Sequence, residues 1–343
     1  MRILVIGSGA IGTLLGVMLK SSGNEVVFYD HPDRLDSLQN ESLSVIFAGA
    51  KKKIKSLDLL KSLEVCKEPF DLAILCIKAY HTDDFIKSCP DGLFDRLLTI
   101  QNGLGNEEKL IDRFGIDKIL SGAITLPVAK KDSYTVEITN NKGGIAFSGV
   151  NGKSCSDIVK LFSLCGFQTV QCRNYQEMKW SKLLLNILGN ALSAITSMTV
   201  QEIFDNRQMT LIEKKAIMEA ISVMKKMGLK PVNLPGYPVK LMVLMFSLAT
   251  PTIIEIIMSL TQSNMSRGDK MPSLYIDLES KSKNSEVDVL NGAVYHKGIE
   301  LGFDMKANGF LFKILSGIVS GEIRRDEYSN SPDKLFIQFV AGI

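Results

Sequence analysis

The chain has 343 residues, too many for one ordinary hydrophobic core and comfortable for two domains. Its 40 basic and 37 acidic residues leave a net charge of only +3, and the densest basic cluster, Lys51, Lys52 and Lys53, reads as a solvated turn or strand edge, so no nucleic acid partner is expected. Six cysteines, Cys66, Cys76, Cys89, Cys155, Cys165 and Cys172, lack the paired spacing of a metal site and read as reduced thiols, with no metal expected.

The first strand is expected to open at Arg2, leaving no room for a cleavable secretory segment, so a cytoplasmic protein is expected. Short β-branched runs follow at Ile3–Ile6, Val26–Tyr29, Leu72–Cys76, Leu98–Ile100 and Ile119–Thr125, alternating with amphipathic stretches. That alternation predicts a parallel sheet wrapped by helices. Thr135–Ile138 and Gly144–Phe147 are joined by Thr139-Asn140-Asn141-Lys142-Gly143, which predicts an antiparallel hairpin closing the sheet.

After Cys172 the spacing turns helical, at Tyr175–Ile195, Gln208–Met227, Val239–Leu260 and Glu286–Leu301. The expected fold is α/β: a Rossmann-type doubly wound sheet over 1–172, then an all-helical domain over 173–343, with a short connection at Arg173–Gln176. Lys240, Pro251 and Glu255 interrupt the apolar stretch Val239–Leu260, so it reads as a pair of buried helices and no membrane partner is expected. An exposed apolar face within Leu241–Ile257 would serve a homodimer, or the same residues would be core. Asn40-Glu41-Ser42 and Asn264-Met265-Ser266 match the glycosylation acceptor pattern, which carries no meaning without secretion.

Gly7-Ser8-Gly9-Ala10-Ile11-Gly12 follows the first apolar strand at once and opens a helical stretch, Ala10 to Ser22, the context a dinucleotide fingerprint requires. Gly7 would allow the tight turn, Gly9 the approach of the pyrophosphate, and Gly12 close packing of helix on strand, while free N–H groups at the helix start attract phosphate. The second strand ends in Asp30, where a carboxylate accepts from ribose hydroxyls and repels a 2′-phosphate, which favours NADH. Two other readings stand beside that one: Arg34 could pair a phosphate, and Asp30 could cap the next helix.

The stretch Lys179 to Leu192 is apolar almost all round, yet Lys182, Asn186 and Asn190 recur at i, i+4 and i+8 and would share one face of a single helix. One amine and two amides among bulky apolar neighbours fit a cleft-lining polar line. Reduction of a ketone by hydride leaves an alkoxide to be protonated, and a partly buried lysine is a competent acid, so Lys182 is the candidate proton donor. Asn186 and Asn190 would fix the substrate's oxygens; a snorkelling lysine with structural asparagines is the bland alternative. Trp180 reads as core. His31, His81 and His296 have no partner at catalytic or metal spacing.

These motifs, with Cys76-Ile77-Lys78-Ala79-Tyr80, Gln101-Asn102-Gly103-Leu104-Gly105, Pro272-Ser273-Leu274-Tyr275-Ile276-Asp277 and Ser285-Glu286-Val287-Asp288-Val289-Leu290-Asn291-Gly292, resemble the ketopantoate reductases (2-dehydropantoate 2-reductases) over essentially the whole chain. The resemblance implies NAD(P)H-dependent reduction of ketopantoate to pantoate, toward pantothenate and coenzyme A. It also implies a helical C-terminal domain of the 6-phosphogluconate dehydrogenase type, and NADPH as the usual cofactor. It assigns Lys182 as general acid, and Asn186, Asn190 and Ser273 to the 2-oxo acid. Lys78 and Asn102 would lie beside nicotinamide and substrate, with Ala129 and Glu286 against the cofactor. Taken singly, Asn102-Gly103 is an ordinary turn, Ser273 a helix cap and Glu286 a first-turn carboxylate.

Two departures leave questions open. A further substrate-side asparagine of well-known members has no counterpart in Met198-Thr199-Val200-Gln201, which keeps another 2-oxo or hydroxy acid in play. Asp30-His31 stands where members carry a basic residue. A non-catalytic dinucleotide sensor is the reading from another class; the polar line on the Lys182 helix, which a sensor does not need, speaks against it.

Overall fold

The computed structural model describes residues 1–66, 68–262, 271–280 and 284–342. Contacts divide the chain into two units. One comprises Met1–Gln101, Gly105–Lys179 and Leu234–Tyr237; the other comprises Asn102–Leu104, Trp180–Asn233 and Pro238–Ile343. The main division in the chain thus falls between Lys179 and Trp180, a little beyond the 172/173 boundary expected from the change in spacing.

The first unit begins β1 (Arg2–Ile6), α1 (Ala10–Ser21), β2 (Glu25–Tyr29), α2 (Pro32–Leu38), β3 (Leu43–Phe47), β4 (Ala50–Ile54) and β5 (Asp58–Leu59). It continues with β6 (Phe70–Leu75), α3 (Thr82–Ser88), β7 (Phe94–Thr99), α4 (Asn106–Phe114), β8 (Ile119–Ile124) and β9 (Val128–Lys130). β10 (Thr135–Ile138), β11 (Ile145–Gly149), α5 (Ser156–Leu164) and β12 (Thr169–Gln171) complete its regular structure ahead of the long helix. The main sheet has the order β12-β11-β8-β7-β6-β1-β2-β5, and only the β11–β8 pairing in it is antiparallel. Successive residues of β1 serve two different cores: Ile3 and Val5 pack with α1 residues Leu14, Leu15 and Met18, whereas Leu4 and Ile6 pack with Phe70 and Leu97. A strand buried on both faces reads as an unbroken apolar run, which is why β1, β6 and β7 were legible.

The expected hairpin of Thr135–Ile138 with Gly144–Phe147 does not form. β10 joins a second sheet of order β4-β3-β10-β9, while β11 pairs with β8 and β12 in the main sheet. The linking residues carry turn chemistry, but Gly144 lies flush against the backbone of Gln168, and its N–H donates to Thr125 Oγ1 at 2.9 Å. The turn therefore delivers the chain to the main sheet instead of back onto β10. Lys51, Lys52 and Lys53 lie on β4 at the rim of the second sheet, the solvated edge expected of them; charge on an edge strand blocks further pairing.

The second unit is helical, with no strand among its described residues. From the first unit α6 (Tyr175–Ile187) runs into α7 (Asn190–Thr196), α8 (Val200–Asp205), α9 (Arg207–Lys226), α10 (Val239–Leu248) and α11 (Pro251–Gln262). α12 (Ser273–Glu279), a π-helical turn at Asp288–Gly292, α13 (Ala293–Glu300), α14 (Lys306–Ser320) and α15 (Pro332–Ala341) follow. Glu219 of α9 accepts from the N–H groups of Ala307 and Asn308 at 2.7 and 2.8 Å, closing the N-terminus of α14.

Two helical expectations are corrected. Tyr175–Ile195 is two helices, because Gly189 stands at φ +71° and ends the first before Asn190 begins the second. Val239–Leu260 is a helix pair, but only one side is buried. Val239, Phe246 and Ile254 are inside, while Leu241, Leu244, Leu248, Ile253 and Ile256 are exposed. Apolar composition all round hid this sidedness. No helix among the described residues is long and apolar enough to cross a membrane. The triplet Asn264–Ser266 lies outside the described residues.

Candidate active site

β1 hands the chain to the glycine loop. Gly7 has φ +92°, and a Cβ there would lie 2.8 Å from Ile77 Cγ2; a Cβ on Gly12 would collide with the Gly7 carbonyl. Gly9 faces open space, and it caps α1 without any side-chain hydrogen bond. The loop thus offers a tight turn, a helix packed hard against its strand, and bare amides around an opening, a cradle that fits the pyrophosphate of a dinucleotide. Ser8 is fully buried, Ala10 and Ile11 open the helix, and Thr13 Oγ1 donates to Ser8 O at 3.0 Å.

Asp30 braces this loop. Its Oδ2 accepts from Ser8 N at 2.6 Å and Ser8 Oγ at 2.7 Å, and its Oδ1 accepts from His31 N at 2.7 Å. α2 takes His31 as its N-cap with no side-chain cap bond, so Asp30 does not cap that helix in the ordinary way. Arg34 comes to the same place: its Nε donates to Ser8 Oγ at 3.1 Å and its Nη2 to Ser133 O at 2.8 Å. Lys130, at the end of β9, has its pKa lowered by desolvation first and then by Arg34, with Lys78 adding to the effect and Asp30 opposing it. Lys130 is therefore within electrostatic reach of Asp30, Arg34 and Lys78, and Arg34 and Asp30 both bond to Ser8 of the loop. Lys78 precedes a 3₁₀ turn at Ala79–His81, and Ala129 sits in the middle of β9, paired with Glu137 of β10.

In the second unit a chain of hydrogen bonds links four of the expected residues. Asn186 Nδ2 donates to Asn102 Oδ1 at 3.3 Å. Asn190 Nδ2 donates to Asn186 O at 3.0 Å and to Ser273 Oγ at 3.2 Å, and Asn190 Oδ1 accepts from Leu274 N at 3.0 Å. The helix break at Gly189 does not disperse the polar line; it lets Asn190 reach α12 while Lys182 and Asn186 stay one turn apart on α6. Both of these are partly exposed among buried Leu183, Leu184, Leu185 and Ile187. Ser273 is the first residue of α12 behind Pro272, which makes no side-chain cap bond; the Ser273 hydroxyl is instead engaged by Asn190. Glu286 is buried just ahead of the π-helical turn. Gly103, at φ +81°, leaves room for Val289, and Leu104 N donates to Val289 O at 3.0 Å, so the segment carrying Asn102 lies against that turn.

Lys179, Glu107 and Gln101 organise the first unit, and the sequence alone does not single out the first two as functional. Lys179 and Glu107 form an ion pair at 3.0 Å with side chains only 4% and 2% exposed. Lys179 Nζ also donates to Gln101 O at 2.6 Å, and Ser121 Oγ donates to Glu107 Oε1 at 2.7 Å. Gln101 Nε2 in turn donates to Ile77 O at 3.0 Å and Thr82 Oγ1 at 2.9 Å. The available signal was a second lysine one turn ahead of Lys182 on an apolar helix; Glu107 by itself resembles any carboxylate in a first helical turn. All six cysteines are free thiols, and burial pushes the pKa of Cys89 up to about 12 and that of Cys172 to about 11. Trp180 is buried.

A glycine cradle on a doubly wound sheet, followed by a helical unit that presents a lysine among amides, is the equipment of an oxidoreductase using a nicotinamide dinucleotide. Residues 3–152 match the model of the ketopantoate reductase PanE/ApbA family, and residues 174–319 match the model of its C-terminal region. The chain belongs to the ketopantoate reductase PanE/ApbA family. It is 24% identical to a 2-dehydropantoate 2-reductase of Archaeoglobus fulgidus over 323 residues, covering 93% of this chain and 98% of that one. A counterpart in Pyrococcus horikoshii is also 24% identical, over 92% of this chain and 96% of the other. Among solved structures, a PanE/ApbA family ketopantoate reductase of Ralstonia eutropha JMP134 superimposes with a TM-score of 0.78 at 21% identity, covering 94% and 99% of the two chains. A ternary complex of D-mandelate dehydrogenase with NADH and anilino(oxo)acetate gives 0.75 at 20% identity, with the same coverage. At these identities the structures report the fold.

Proposed function

We propose that the chain reduces ketopantoate to pantoate, with residues 1–172 holding the dinucleotide and 173–343 the 2-oxo acid. The observation that carries this is the chain of amides Asn102, Asn186 and Asn190 closed by Ser273, in which Asn186 stands one turn beyond Lys182 on α6. When bound, the reduced nicotinamide supplies a hydride to the C2 carbonyl. The Lys182 ammonium gives its proton to the carbonyl oxygen as negative charge builds there, and regains one from solvent. Asn186, Asn190 and Ser273 bind the oxygens of the substrate; Asn190, whose two N–H groups and Oδ1 are engaged by Asn186, Ser273 and Leu274, exchanges its bond to Ser273 for one to the substrate, and because each side chain is already held by a neighbour, little freedom is lost on binding. In this reading Lys78 and Ala129 hold the cofactor within the first unit with Gly7, Ser8, Gly9, Ala10, Ile11 and Gly12, and the family pattern assigns Asn102 and Glu286 of the second unit to the same ligand.

The cofactor in this reading is NADPH. Asp30 already accepts three protein hydrogen bonds, which leaves it little capacity for ribose hydroxyls, and Arg34 and Lys130 beside it suit a 2′-phosphate. Oxidation of NADPH and NADH with ketopantoate, followed by absorbance in parallel, tests both points. Faster NADPH oxidation is expected, and Lys182→Ala is expected to lower kcat by about a hundredfold or more; normal turnover by that variant would remove the general acid. A second reading, reduction of another 2-oxo acid, is favoured by Val200, buried where family members place a substrate-side asparagine. Turnover of a more apolar 2-oxo acid in preference to ketopantoate would establish it.

A further inference from the structure

The Lys179–Glu107 pair is hard to explain as a stabilising feature alone. Stripping water from both ions costs several kcal/mol each, and apolar side chains of similar volume would hold the fold as well or better. What an apolar pair could not supply is a cation aimed at a carbonyl. Lys179 Nζ spends one donor on Glu107 and another on the Gln101 carbonyl at 2.6 Å. Gln101 is constrained at its other polar atoms too, with Nε2 donating to Ile77 O and Thr82 Oγ1 and Oε1 accepting from Thr99 Oγ1 at 3.1 Å. The two peptides that Gln101 fixes lead directly into Lys78 and Asn102, since Ile77 O belongs to the peptide before Lys78 and Gln101 O to the peptide before Asn102.

We propose that Lys179 is a positioning residue for the reduction, with Glu107 as its counter-ion: the buried ammonium fixes the Gln101 carbonyl and, through Gln101, the backbone that presents Lys78 and Asn102. This rests on the reading of those two residues as cofactor and substrate contacts. Lys179 touches neither ligand and acts only through Gln101.

Three variants of the full chain separate positioning from stability. Lys179→Met removes the cation and strands Glu107; Glu107→Gln leaves the ammonium on Gln101; the double variant Lys179→Met with Glu107→Leu replaces the pair by apolar groups. Thermal unfolding, kcat and KM with ketopantoate, and the NADPH dissociation constant from protein fluorescence are measured on each. Both single variants are expected to lose melting temperature and the double variant to regain it. Both chains lacking Lys179 are expected to show kcat lowered by about tenfold to a hundredfold and weaker NADPH binding, with a much smaller change in Glu107→Gln. A double variant with parental kcat and parental NADPH affinity overturns the proposal, as do losses in the single variants that simply follow melting temperature. If the parent turns over no ketopantoate, the substrate assignment fails, and the NADPH affinities still decide the role of Lys179.

Discussion

Glu213, fully buried on α9, has neither carboxyl oxygen in a hydrogen bond of ordinary geometry. Desolvation raises its pKa from 4.5 to about 8, with the Gly189 N–H opposing the shift. The folded state therefore keeps a proton that the unfolded chain releases. Its contribution to stability is full below about pH 4.5, declines as pH rises, and is lost beyond about pH 8. The melting temperature of the parent is expected to fall by several degrees across that window, and Glu213→Gln to flatten the decline. Glu219 shifts in the same direction, so the difference between variant and parent isolates Glu213. Equal slopes in the two proteins would show that Glu213 is ionised inside the fold.

At this same scale legibility depended on contrast. Lys182, Asn186 and Asn190 stood out because their neighbours are leucines and isoleucines. Lys179 and Glu107 did not, because each has a common surface explanation and only the fold brings them together across 72 positions of sequence. Asp30 is visible in the sequence as an acid at a strand end; its partnership with Ser8 of the glycine loop exists only once β1 and β2 lie side by side.

Among elements, the break between α6 and α7 is the most consequential. Gly189 is left-handed, and a Cβ there would press on Val200 Cγ1 and Cγ2 at 3.1 and 3.2 Å. Gly189→Ala is expected to cost about 1–2 kcal/mol in unfolding free energy, from the backbone conformation alone. It is also expected to raise KM for the 2-oxo acid more than it lowers kcat, since Asn190 shifts while Lys182 remains on an intact helix. Unchanged KM would mean that the break does not set the position of Asn190. The glycine was visible in the sequence, but an isolated glycine in a helical pattern does not announce whether the helix ends there. Strands buried on both faces are readable to within a few residues, whereas β4, three of whose five residues are lysines, shows in the sequence only as a solvated turn or strand edge. The hairpin was misassigned because turn chemistry specifies a reversal and leaves the choice of sheet to the packing of Gly143 and Gly144 against Thr125 and Gln168.

For the whole molecule, a change of spacing after Cys172 correctly announced a sheet unit followed by a helical one, yet a single cut in the sequence could not express how the first unit is completed. Leu234–Tyr237 belongs to it: Thr125 Oγ1 donates to Pro235 O at 2.7 Å, and Gly236, at φ +76°, lies flush against the Lys142 carbonyl. Gly236→Ala would drive a methyl group into that carbonyl. Amide hydrogen exchange is expected to quicken in the strands flanking Thr125 and Gly144, far from the substitution in sequence, with little change in α14. Exchange confined to residues around 236 would show that the tetrapeptide is merely laid on the surface.

The same four residues bear on how such a protein can be recombined. A hybrid gene made by one crossover at 172/173 would take its dinucleotide cradle from one parent and the peptide that packs where β8 ends and β11 begins in that cradle's sheet from the other. Inheritance of a complete first unit needs a second exchange around 234–237, so these halves are not cassettes that a single splice can trade.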